Sequence, residues 1–80
     1  MPEKEAVLAI LRKIKPTVDF EQAHGILDNG YLDSLEFLTL ITELGAYIGV
    51  EIGVDEITAE NFDTVETIAV MLERLKPQES

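Results

Sequence analysis

The sequence predicts an all-α fold: a small bundle of three main helices plus one short helix, with a long loop after the first. Three observations carry that expectation. Apolar residues recur at helical spacing in three separate segments, proline or glycine marks the segment ends, and two segments open with the Asp-x-x-Glu spacing of a capping box. A chain of 80 residues, 46% apolar and 28% charged, has enough apolar surface for a core. It is too short for two cores, because a domain of this size buries only roughly 60% of its unfolded surface. One domain over 1–80 is expected, and a monomer.

The first helix is expected over about 3–15. Val7, Ile10, Leu11 and Ile14 share one face, Glu3 and Glu5 lie at its positive end, Arg12, Lys13 and Lys15 lie at its negative end, and Pro16 stops it. From Thr17 to Leu32 the periodicity is lost and Gly25, Asn29 and Gly30 appear, which reads as a long loop with room for one helical turn. A loop this long in a small domain usually has a function.

The second helix is expected over 34–49, opened by the Asp33/Glu36 pair. At 100° per residue, Phe37, Leu40, Ile41, Leu44, Tyr47 and Ile48 form its core arc, while Leu35 and Leu38 fall outside. Gly45 and Gly49 weaken its second half by about 1 kcal/mol each relative to alanine, so it ends near Gly49. Val50, Ile52 and Val54 alternate like a strand, but with no partner strand such a segment cannot satisfy its backbone, and a loop is expected. It leads to the short helix, over about 56–61. The last helix is expected over 64–76, opened by Asp63 and Glu66, with Val65, Ile68, Ala69, Leu72 and Leu75 on its core face and Pro77 at its end. Gln78 to Ser80 reads as a frayed tail.

Charge narrows the partners. The net charge is −10, and no Lys or Arg occurs between Pro16 and Glu73. Such a field repels nucleic acid and anionic lipid and attracts basic protein surfaces at rates that depend on ionic strength. No nucleic-acid partner is expected. No apolar run approaches the roughly 20 residues that span a bilayer, so membrane insertion is not expected either, and a cytoplasmic location is. Without cysteine there is no disulfide and no thiolate nucleophile.

The informative stretch is Asn29-Gly30-Tyr31-Leu32-Asp33-Ser34-Leu35-Glu36-Phe37-Leu38. A serine in the first turn of a helix has its hydroxyl beside free backbone N–H groups at the positive end of the dipole, where a phosphate ester on that oxygen would be stabilised. Gly30 lets the chain turn so that the hydroxyl faces outward. Leu35, Leu38, Thr39 and Thr42 form the face turned away from the core, flanked by Glu36 and Glu43. An apolar spot rimmed by negative charge suits a basic surface with a shallow apolar socket.

The run Gly30-x-Leu32-Asp33-Ser34-Leu35, followed by an amphipathic helix with Glu36, resembles the Asp-Ser-Leu signature of acyl carrier proteins and of the peptidyl and D-alanyl carriers related to them. The resemblance covers nearly the whole chain: the helix order, the long first loop, the acidic second helix and Asp63-Thr64-Val65 at the start of the last. It implies that Ser34 accepts 4'-phosphopantetheine from coenzyme A, that a phosphopantetheinyl transferase attaches it with help from Asp33, and that the thiol of the arm carries cargo as a thioester. Leu35, Glu36, Leu38, Thr39, Thr42 and Glu43 then form the docking face for acyl- or aminoacyl-loading and transfer enzymes. The chain would be a non-catalytic carrier. Thr39 stands where fatty-acid carriers often have glutamate and Gly53 where proline is frequent, and the Gly-x-Leu-Asp-Ser form is more like discrete aminoacyl and D-alanyl carriers.

Other readings have less behind them. His24 could activate Ser34 in a hydrolase, but the Gly-x-Ser-x-Gly elbow is absent and so small a bundle is expected to offer no substrate pocket. Asp28-Asn29-Gly30 lacks the ligand spacing of an EF-hand, so no specific metal site is expected. Tyr31 and Tyr47 read as packing residues. An unmodified acidic helical interaction module remains the alternative.

Overall fold

The computed structural model describes residues 2–77, so the expected frayed tail at 78–80 lies outside the described residues. Three α-helices form: α1 (Pro2–Ile14), α2 (Ser34–Ile48) and α3 (Val65–Leu75), with a single 3-10 turn at Val54–Glu56. No strand occurs among the described residues, and no helix is long and apolar enough to cross a membrane.

Each helix sits within a residue or two of its expected bounds, for local reasons. Pro2 occupies the first position of α1, where a missing N–H costs nothing. The amide of Lys15 closes the last turn onto Leu11 O at 2.8 Å before Pro16 ends it. α2 begins on the expected capping box and stops at Gly49, whose φ of 75° is the left-handed cap that glycine adopts without a Cβ penalty.

The box that opens α3 is one residue later than expected. Thr64 and Thr67 exchange the capping bonds, with Thr67 N on Thr64 Oγ1 at 3.1 Å and Thr64 N on Thr67 Oγ1 at 2.9 Å. Asp63 is engaged elsewhere, accepting the amide of Gly25 at 2.6 Å, and Glu66 pairs with Lys4 at 2.9 Å. The short helix expected over 56–61 does not form. The 3-10 turn ends at Glu56, and polar side chains then take the backbone groups that a helix would use. Asn61 donates its side-chain amide to Glu56 O at 2.8 Å, and Thr58 Oγ1 accepts Asn61 N at 3.1 Å.

α1 packs along both other helices, whereas α2 and α3 touch little. The linkers close the difference. Phe20, Ala23 and Ile26 from the first loop and Ile52 and Phe62 from the second join the buried core with Val7, Leu11, Leu40, Leu44, Ile68 and Leu72. The first loop contains the anticipated helical turn, with Asn29 N on Gly25 O at 2.7 Å. It is fastened to the approach to α3, Ile26 N to Asp63 O and Leu27 N to Phe62 O, each at 3.0 Å. Tyr31 packs on Phe20 with ring centroids 6.1 Å apart, as expected of a packing residue. Tyr47 is less well packed: it is 46% exposed, at the edge of the α2 arc.

Cations hold three carboxylates below their ordinary range. Glu3 accepts from Lys76 at 2.9 Å, Glu56 from Arg74 at 2.7 Å and Glu66 from Lys4 at 2.9 Å, and each base is raised in turn. A folded pKa below the unfolded value contributes stability above that value, here near 4.5, and the contribution is lost as pH falls through the lower folded pKa. Glu3 is the buried member of the set, so Glu3→Gln is expected to lower the melting temperature at neutral pH. The gap from the parent should close once the pH is well below 4.5. A gap of constant size through the acid limb would mean that Glu3 acts by packing alone.

Candidate functional site around Ser34

Gly30, at φ 73°, turns the end of the first loop toward α2 through left-handed backbone that other residues rarely adopt. Asp33 follows in extended conformation as the N-cap. Its carboxylate accepts Glu36 N at 2.8 Å, and Glu36 returns the bond by accepting Asp33 N at 2.9 Å. Ser34 is thereby fixed as the first residue of α2. It is exposed, and its hydroxyl has no hydrogen-bond partner among the described residues. The positive end of α2 lies beside it, and no histidine is held against it by a hydrogen bond.

The outer face of α2 follows the expected phase. Leu35 is 76% and Leu38 60% exposed, with Thr42 exposed between them and Thr39 exposed beyond Leu35, the two hydroxyls bonded back to Leu38 O at 3.0 Å and Leu35 O at 2.9 Å. The six docking residues inferred from the sequence therefore lie on one continuous surface, with Glu36 and Glu43 on its α1 side. Their charges are engaged, however. Lys13 reaches Glu43 at 2.9 Å from the last turn of α1, and Lys15 reaches Glu36 at 3.1 Å from the residue just past its end.

Beside this face, and sharing Leu38 and Thr42 with it, lies a feature the sequence does not predict. A groove of about 940 Å³ opens between α2 and the 50–57 segment. Asp33, Ser34 and Glu51 stand among its lining residues, and Phe37, Ile41, Ile52 and Ile57 supply apolar wall. Leu27 and Leu32 join them from the first loop. The expectation of no pocket fails because α2 and α3 do not close on each other and the linkers span the gap without filling it. A signal for the wall was present in the alternating Val50, Ile52 and Val54: Ile52 is buried, Val50 half-buried, and Val54 stands 86% exposed at the rim.

Gly45 has a role that the propensity argument missed. A Cβ at this buried position would stand 2.9 Å from Val50 O, where the chain folds back after α2. Gly45→Ala gains about 1 kcal/mol of helix propensity but loses about 1 to 3 kcal/mol to overpacking against backbone that cannot rotate away. The variant is expected to be less stable by up to about 2 kcal/mol in urea unfolding, with shifted amide signals along 50–57. A more stable variant with unshifted signals would remove the close approach from the account.

Comparison with protein-family models, with curated proteins and with solved structures gives no match to this chain.

Proposed function

We propose that this chain is an acyl carrier protein, in which Ser34 takes a 4'-phosphopantetheine arm from coenzyme A and partner enzymes load and unload an acyl group on that arm. The observation that carries the reading is an unpartnered, exposed serine hydroxyl at the first position of α2, at the mouth of an apolar groove. The arm supplies the one chemical function that the chain lacks, a thiol able to form a thioester. The residues fit it. The start of α2 stabilises a phosphate ester at Ser34, Asp33 holds that turn of helix in place, and the groove receives apolar cargo. An acyl chain suits those walls better than an aminoacyl group, whose ammonium would lose its hydration there without a hydrogen-bonding replacement.

The test is intact mass. The apo protein, incubated with coenzyme A and a broad-specificity phosphopantetheinyl transferase, is expected to gain the mass of one arm. No gain would favour the unmodified interaction module. The docking face is tested separately by Leu38→Ala. Because the side chain is mostly exposed, melting should shift little, while kcat/KM for loading should fall by up to about tenfold, the equivalent of roughly 1.4 kcal/mol of lost apolar contact. Loading at the parent rate would move the docking face away from Leu38.

A further inference from the structure

The carboxylates that flank the exposed leucines of α2 do not stand free. Glu36 is held by Lys15 and by the amide of Asp33, and Glu43 is held by Lys13. At 100° per residue, the outer face of α2 runs from the groove edge at Leu38, across Thr42, Leu35 and Thr39, to Glu43 and Glu36 on the α1 side. A basic surface seated on this face meets two acids already paired with this chain's own lysines. The acids that line the groove, Asp33 and Glu51, have no ion-pair partner among the described residues.

We propose that Lys13 and Lys15 are internal competitors for Glu36 and Glu43, so that a basic partner docks on the Leu35/Leu38 face by exchanging its own cations for these two. The inference rests on the carrier reading for the identity of the partners, but the exchange itself does not depend on it. Lys13–Glu43 lies at the surface and Lys15–Glu36 is only partly buried, so each pair is worth little and a neighbouring cation can displace it in water. The apolar spot beside them supplies the part of the contact that charge does not. Exchange of like for like leaves the net charge of the interface unchanged, so the lysines lower the docking rate of any basic surface while penalising most those that cannot also cover the leucines.

The probe is a synthetic amphipathic helical peptide with lysine on one face and leucine on the other, titrated into the apo protein while the amide signals of α2 are followed. Two variants lose the same charge. Lys13→Gln/Lys15→Gln frees Glu36 and Glu43, whereas Lys4→Gln/Arg12→Gln frees Glu66 and Glu21, away from the α2 face. The first is expected to bind the peptide roughly two- to fivefold more tightly than the parent, as the release of exposed pairs allows. The second should gain clearly less, and the difference between them should vanish at high ionic strength. Lys13→Arg/Lys15→Arg should bind as the parent does. Where the glutamine double variant loses its fold, Lys13→Gln alone carries the comparison.

Equal gains in the two isocharge variants would overturn the exchange, because only net charge would then matter. Signal changes centred on 50–57 instead of α2 would overturn it as well. Uptake of the arm is read on the same samples. Uptake without a difference between the variants leaves the carrier reading and removes the competition, and a difference without uptake does the reverse.

Discussion

Ser34→Ala is expected to fold as the parent does and to take up no phosphopantetheine. The side chain is exposed, its hydroxyl bonds to no described residue, and the cap of α2 is supplied by Asp33, so removal of one oxygen leaves no buried group unsatisfied. Alanine is also well tolerated in the first turn of a helix. Stability should stay within about 0.5 kcal/mol of the parent, the ordinary range for a surface change. The loss of loading should be complete, because the ester has no other oxygen in this setting. Thr39 and Thr42, the nearest hydroxyls on the same face, are turned back onto backbone carbonyls. Mass gain in the alanine variant would assign the arm to another residue. An unfolded variant would instead show that the hydroxyl takes part in the cap, and Ser34→Thr would then be the variant to load.

The largest effect on stability is expected at Phe62. Its ring is wholly buried and meets Phe37 edge-on with centroids 5.2 Å apart, and its carbonyl accepts Leu27 N at 3.0 Å. Phe62→Ala removes a core aromatic and should cost about 3 to 5 kcal/mol. A domain of this length has roughly 4 to 12 kcal/mol in total at 0.05 to 0.15 kcal/mol per residue, so the variant should be partly unfolded at room temperature. Phe37→Ala should cost less, because its ring is half-buried and already borders the groove. Urea midpoints order the two. If Phe37→Ala proves the more damaging, the joint between the linkers is not where the core is most sensitive.

What was legible in the sequence was local. The Asp33/Glu36 box, the stop at Gly49 and the exposure of Leu35 and Leu38 depend on residues within a few positions of one another, and periodicity reports such relations directly. The misses depend on distant residues. Asp63 was expected to cap α3 with Glu66, but its partner is the amide of Gly25, 38 residues away. The negative rim of the docking face is legible in Glu36 and Glu43, but not their pairing with lysines 21 and 30 residues away. The groove is the extreme case, since Leu27, Ile41 and Ile57 each look like ordinary core residues and only their arrangement leaves space between them. Tyr47 has a helical phase next to that of Leu40, yet only the position of α1 decides which of the two is covered.

The two walls of the groove are not built alike. α2 is a continuous ladder of hydrogen bonds, whereas the facing stretch from Gly53 to Thr58 is held internally by Glu56 N on Gly53 O, Ile57 N on Val54 O and Thr58 N on Glu56 O, and from outside through Glu56 by Asn61 and Arg74. Local opening of such a stretch takes less free energy than unfolding the bundle, because few bonds and few buried contacts must break. Amide hydrogens on that side should exchange with solvent long before those of Leu40 or Leu44. A container with one rigid side and one yielding side has no single capacity. Under the carrier reading its volume would follow its contents, and acyl groups of different length would be housed without repacking the core against α1 and α3.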